Sequence, residues 1–423
     1  MMEAGGSDRR SRWTPRPRPE WVTRLNEEGQ VLDARGIVPL DEASLLKTAM
    51  ENTGLDDFGD DLWREPFRIL LSALEEEAEL NLMGRLFTRS DLLIHLEGRL
   101  EVIDWYKKHP EVEDEVVEAP VFIIGLPRSG TTIMQEILGA DPGSHTVRMW
   151  EAKFPCPPPR LGDPQPDPRI ARADALATMQ DRVAPEWSGM HKVGGDLPVE
   201  CIEFMYSSFV SDAFSASFQV PTYSEYVTRA DPGYAFAWHK RILKLLQSAQ
   251  KPQRWLLKGP THIPFLPTLF GTYPDAKVVL MLRDPVKALA SVVDVCGTLF
   301  WMRSDDPFSG DSYGHFLSAD PVVANLERMI DWMEEGVVPK ERFQAVRYLD
   351  FFADPEAEMR SLYAGLDLPL TAEAERAMLD YIASKPKGKF GEHEYEMGER
   401  SAMADEREKF RRFQDYFGIQ DEV

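Results

Sequence analysis

The stretch Val121–Leu138, VFIIGLPRSGTTIMQEIL, decides how the rest of the chain is read. Val121, Phe122, Ile123 and Ile124 form an apolar run directly after Pro120, rich in β-branched and aromatic residues. A run this short predicts a buried strand. Gly125-Leu-Pro-Arg-Ser-Gly130 then predicts a tight turn, and Thr131-Thr132 open an apolar helix carrying Ile133, Met134, Ile137 and Leu138. A strand, a glycine-bounded loop and a helix start make an anion cradle, because loop amides and the positive end of the helix converge on one point. Phosphate or sulfate suits such a cradle. The glycine spacing is that of the nucleotide-triphosphate loop, G-x-x-x-x-G-K-[ST]. Thr131, however, stands where that motif needs the lysine that reaches the β- and γ-phosphates. The cation lies inside the loop instead, at Arg128.

Composition narrows the partners. The 423 residues are 43% hydrophobic and 28% charged, with a formal net charge of −23. This length allows one large domain or two ordinary ones. So acidic a chain lacks the basic footprint that a nucleic-acid backbone demands, yet a local basic pocket for a small anion remains compatible with it. Cys156, Cys201 and Cys296 are far apart, with no disulfide or metal spacing, so a reducing, cytoplasmic setting is expected. No apolar run approaches a membrane span, and the arginines near the start have no apolar stretch behind them of the secretory kind.

Outward from the central stretch, residues 1–20 are rich in Gly, Arg and Pro and predict a disordered tail. Residues 21–117 predict a helical region packed on the core. Its apolar faces are Leu45, Leu46, Ala49 and Met50; Phe67, Leu70, Leu71 and Leu74; and Leu92, Leu93, Leu96, Leu100 and Ile103. Residues 118–423 form the main domain, with a helical insertion at about 151–253. That insertion is dense in aromatic residues, among them Phe204, Tyr206, Phe209, Phe214, Phe218, Tyr223 and Tyr226, most expected in the core and some in a hydrophobic pocket. Arg254–Lys258, Lys277–Leu282 and Phe343–Tyr348 predict further strands, each followed by a helix. Strands alternating with helices imply a parallel α/β sheet whose site lies at the carboxyl ends of the strands.

Pro127, Arg128, Ser129, Gly130, Thr131 and Thr132 resemble, residue by residue, the P-K/R-S-G-T-T loop of the PAPS-dependent sulfotransferases. Further motifs extend the resemblance from about Pro120 to Tyr395. VVLMLRDPVKALAS is similar to the family's strand followed by an arginine and a serine eight residues apart, which implies that Arg283 and Ser291 hold the 3′-phosphate. Lys387-Gly388 begins a segment resembling the family's K-G-x-x-G loop, with Glu392-His393 in place of Asp-Trp. Tyr348, in Tyr-Leu-Asp, looks like the tyrosine that contacts adenine. Lys258-Gly-Pro-Thr-His262 is similar to the Thr-His-Leu-Pro stretch of cytosolic members, with His262 lying 21 residues before Arg283. The resemblance implies His262 as the general base, Lys258 and Arg128 as charge stabilisers, and Glu200 as the second choice of base. No metal is expected if cations neutralise the departing phosphate. No transferable motif lies between Trp150 and Gln253, so acceptor choice belongs there.

The expected activity is sulfuryl transfer from 3′-phosphoadenosine 5′-phosphosulfate (PAPS) to a hydroxyl of an apolar small molecule or lipid. Such an acceptor is expected to enter between the N-terminal helices and the Asp174–Phe236 segment. A kinase or hydrolase on the same loop is opposed by Thr131. A non-catalytic nucleotide-binding protein is opposed by the joint presence of Arg128, Lys258, His262, Arg283 and Ser291.

Overall fold

The computed structural model describes residues 13–160, 162–308, 319–385 and 400–422. Among these a parallel five-stranded sheet has the order β2-β3-β1-β4-β5. Strand β1 is Val121–Gly125, β2 Ser144–His145, β3 Arg254–Lys258, β4 Lys277–Leu282 and β5 Phe343–Arg347. Short β2, at the edge beside β3, has no signal in the sequence beyond two polar residues. Tyr348 opens the next helix rather than closing β5.

The sheet is covered on both faces, and the side-chain period of two sorts its residues between two cores. Phe122, Ile124, Leu257, Val278, Leu280 and Leu282 enter one core with the helix Gly233–Gln250. Val121, Ile123, Leu256, Val279, Met281 and Val346 enter the other with the helices Thr131–Leu138 and Pro355–Gly365. Because β1 is central, with β3 on one side and β4 on the other, the chain leaves β1 where the strand order reverses. That is where ligands collect in open α/β sheets.

The helices Glu42–Thr53, Arg64–Glu76 and Leu82–Lys108 present the predicted apolar faces. Leu45, Phe67, Leu70, Leu74, Leu96 and Leu100 are buried together with Phe209, Phe214, Val220 and Tyr223. This corrects the expected acceptor route. The seam between the N-terminal helices and this part of the aromatic segment is closed core, with Phe67–Phe209 ring centroids 4.7 Å apart and Phe214–Tyr223 at 5.8 Å. Aromatic side chains bury too much area to leave such a seam open.

Within the expected tail, residues 13–19 are held against the domain. Trp13 packs on Gly297 and meets Phe308 edge to face. The Arg18 guanidinium lies 3.5 Å over the Trp301 ring and donates to the carbonyls of Trp301 and Ser304 at 2.6 Å. A helix then begins at Glu20. Proline removes donors but leaves Trp and Arg free to anchor an extended segment.

Candidate active site

Parallel register brings four strand ends to one edge. Ile123 aligns with Lys258, and Gly125 with Met281 two residues before Arg283. The loop after β1, Lys258 at the end of β3, Arg283 after β4 and Tyr348 after β5 therefore share one rim.

The loop carries backbone strain. Arg128 has φ +68° and Gly130 φ +99°, both in the left-handed region. Only glycine takes the latter without cost, and space forbids a side chain there as well, since a Cβ on Gly130 would lie 2.6 Å from Cδ2 of Tyr348. Strain of this kind in a non-glycine residue at a strand end marks a loop held for a purpose. Ser129 Oγ is buried and has no hydrogen-bond partner among the described residues. A buried hydroxyl left so is costly in a folded protein unless a ligand meets it.

Arg128 reaches across the cleft. Its Nε donates to Ser291 Oγ at 2.9 Å and its Nη1 to the Met190 carbonyl at 3.1 Å. Arg283 Nη1 approaches the Arg128 carbonyl at 3.4 Å, and its guanidinium lies 4.3 Å over the Tyr348 ring. Arg128, Arg283, Ser291 and Tyr348 are thus gathered around one loop.

Glu200 is placed by its neighbours' backbone. Gln135, on the helix after the loop, donates to the Val199 carbonyl at 3.1 Å, and the Cys201 amide donates to the Lys258 carbonyl at 2.7 Å. With both flanking residues pinned, the Glu200 carboxylate meets Lys258 Nζ at 3.0 Å. The same ammonium donates to Thr132 Oγ1 at 3.0 Å. Burial opposes the Glu200 charge, but Lys258 and His191 outweigh it and hold the carboxyl below its usual range. His191 was not singled out in the sequence. It follows Met190, and its pKa is lowered by burial and by Lys258 and Arg128, against Glu200 and Glu203. A histidine one residue past the end of a four-residue helix carries no sequence signal of that placement.

His262 packs among aromatic rings beside the site. It is 2% exposed, with ring centroids 5.1 Å from Phe236 and 6.0 Å from Phe122, and its Nε2 has no hydrogen-bond partner among the described residues. Gly259 makes room for it, since a Cβ there would fall 2.1 Å from His262 Cδ2. Burial lowers its pKa to about 4, only partly countered by Glu200. Its ligand nitrogen, with those of His239 and the Cys201 sulfur, forms a buried set of donors within 4.8 Å of one another. Lys387 and Gly388 lie outside the described residues.

Residues 120–372, more than half of the chain, match the model of the sulfotransferase family. The chain belongs to the sulfotransferase family. It is 30% identical to the sulfotransferase STF1 of Mycobacterium tuberculosis, with a TM-score of 0.73 over 88% of this chain and 98% of that one. Against the sulfotransferase STF9 of Mycobacterium avium the values are 26% and 0.77, over 90% and 97%. These two likenesses agree with the parallel sheet flanked by helices. A curated relative from Mycobacterium bovis, omega-hydroxy-beta-dihydromenaquinone-9 sulfotransferase Stf3, is 25% identical over 268 residues. The match takes in 60% of this chain and spans 64% of that relative's length. No described helix is long and apolar enough to cross a membrane.

Proposed function

We propose that this sulfotransferase-family chain moves a sulfuryl group from PAPS to a hydroxyl on a largely apolar acceptor, with Glu200 as the general base. One observation carries the reading: a single sheet edge assembles a strained anion loop, a lysine bridging that loop to a carboxylate, and a second arginine beside it.

The residues present suit PAPS. Ser129, Gly130, Thr131 and Thr132, with Arg128, would hold the 5′-phosphosulfate, and Ser129 has the orphaned hydroxyl to contribute. Arg283 and Ser291 would hold the 3′-phosphate, and Tyr348 would face the adenine. Bound there, PAPS supplies a sulfuryl group for in-line displacement, the acceptor oxygen forming its bond to sulfur as the bond to the phosphate oxygen breaks. Glu200 takes the acceptor's proton, and Lys258 holds it ionised despite its burial. Lys258, shared between Glu200 and Thr132, is in reach of both the proton-accepting carboxylate and the loop that holds the donor. It can therefore follow negative charge toward the departing phosphate as the carboxylate is neutralised. Cations perform this neutralisation, so the reaction asks for no metal. The name of the Mycobacterium bovis relative gives a hydroxylated menaquinone as what that protein acts on. This supports an apolar acceptor here.

Calorimetry in the presence of chelator tests the reading. Adenosine 3′,5′-bisphosphate is expected to bind without magnesium, and ATP much more weakly. Equal affinities would overturn it.

A further inference from the structure

Arg283 is already engaged. Its Nε donates to both carboxylate oxygens of Glu422 at 3.1 Å, and its Nη2 donates to Oε2 at 3.1 Å. Lys287 Nζ, one helical turn on, donates to the same oxygen at 3.0 Å. An arginine fork closed on an anion, with an ammonium at its flank, is the arrangement a phosphate would also demand.

We propose that Glu422 is a self-ligand of the second anion pocket and a determinant of its affinity and selectivity. The proposal rests on the assignment of Arg283 to the 3′-phosphate made above. A ligand without a phosphate at that position leaves the carboxylate in place. A ligand that carries one must displace it, and its apparent affinity is reduced by the fraction of molecules in which the pocket is closed.

The segment is built to deliver this side chain. Gly418 takes φ +64° and turns the chain away from the helix Arg411–Phe417, and the Ile419 amide returns to the Gln414 carbonyl at 2.9 Å. Gln414 Nε2 donates to Asp421 Oδ1 at 2.8 Å, and Arg407 Nε lies 3.2 Å from the same oxygen. The Glu422 amide donates to Asp284 Oδ2 at 2.9 Å. Asp284 is fully buried next to Arg283; it caps the following helix through the Val286 amide at 3.0 Å and accepts from Arg407 at 2.8 Å. Glu422 is thereby tied to the strand-helix junction that presents Arg283, and its side chain is 6% exposed. Burial opposes its charge, yet hydrogen bonds and charge from Arg283, and then from Lys287, outweigh burial and hold the carboxyl below its usual range. The carboxylate is therefore an anion at neutral pH and competes as one. A phosphate carries more charge and more acceptor oxygens than a carboxylate, so displacement is feasible, but only for a ligand that also gains contacts at the loop after β1.

The test is calorimetry of the full chain and Glu422→Gln with adenosine 3′,5′-bisphosphate and with adenosine 5′-monophosphate. Glutamine keeps the shape and removes the charge. The bisphosphate is expected to bind about tenfold tighter to the variant, while the monophosphate changes less than about twofold. Glu422→Asp, with a shorter reach, is expected to fall between. In an Arg283→Ala background, Glu422→Gln is expected to have no effect, because the pocket that the carboxylate closes is gone. Wild type that prefers bisphosphate over monophosphate, with a variant that binds it no tighter, would overturn the self-ligand and leave the cofactor reading standing. No preference for the bisphosphate in either protein would overturn the assignment of Arg283 and the proposal with it. Melting curves of each variant exclude unfolding as the source of a weakened affinity.

Discussion

His262 and Glu200 show how far a residue's chemistry depends on its walls. Both are positioned by Lys258 and its surroundings, one through the turn after β3 and one through the Cys201 amide on the Lys258 carbonyl. The histidine turns into an aromatic core and is held neutral there, whereas the carboxylate meets the ammonium beside the loop. His262→Leu is close to volume-conserving. It is expected to cost less than about 1.5 kcal/mol of stability and to leave turnover within a few-fold. Glu200→Gln is expected to lose on the order of 10²–10⁴-fold in turnover with cofactor affinity nearly unchanged. Steady-state rates at saturating cofactor separate the two; a dead His262→Leu beside an active Glu200→Gln would return the role of base to the histidine. The sequence motif around His262 was legible, but motif text records neighbours in the chain and not the direction in which a ring points.

At the scale of elements, Arg99 joins pieces that the sequence keeps far apart. It is fully buried on the helix Leu82–Lys108. Its Nε donates to the Phe58 carbonyl at 2.7 Å, its Nη1 to the Ser207 carbonyl at 3.2 Å and its Nη2 to Tyr234 Oη at 2.9 Å. Its guanidinium is also 4.6 Å from the Trp238 ring and 5.2 Å from the Trp63 ring. One cation thus fastens the N-terminal helices to the segment that leads to Glu200 and to the helix Gly233–Gln250. Arg99→Met would fill the volume and strand the carbonyls. The expected loss is about 3 kcal/mol, as for breaking a buried charged network, seen as a lower denaturant midpoint. Affinity for adenosine 3′,5′-bisphosphate should hold at low temperature, since the anion loop is not touched. From the sequence Arg99 reads as one more polar position on an amphipathic helix, because periodicity says which face is buried and not which polar residue is drawn in to satisfy loop carbonyls.

For the molecule as a whole, buried histidines set the response to acid. Burial lowers the pKa of His95, His239 and His262, the last to about 4. Between the ordinary histidine value of about 6.5 and the folded value, the unfolded chain binds protons that the native chain refuses. The contribution of these rings to stability is therefore complete above about pH 6.5 and falls as pH drops, by about 1.4 kcal/mol per pH unit for each such histidine, whereas buried Asp212, raised to about 7, opposes it with the weight of one group. Carboxylates held low, such as Glu200 and Glu422, add their loss only below the usual carboxylate range. Melting temperature is expected to decline steadily from about pH 6.5 downward, and His262→Leu should make that decline shallower. A flat profile from pH 7 to 5 would show that these rings are not refused protons.

The residues alone determined the parallel α/β class, the positions of β1, β3 and β4, and the strand-loop-helix around Arg128. Each follows from local physics: an apolar run too short for a helix, glycines where the backbone must turn, and hydroxyls at a helix start. The rim shared by Arg128, Lys258, Arg283 and Tyr348 was also implied, since parallel strands bring their carboxyl ends to one edge. Only the tertiary structure decided that Glu200 meets Lys258 and that Phe209, Phe214 and Tyr223 close a core rather than open a pocket. It alone set Glu422 on Arg283, across 139 residues of chain. Such pairings depend on which side chains three-dimensional packing brings together and desolvates, and neither periodicity nor motif spacing encodes that at long range.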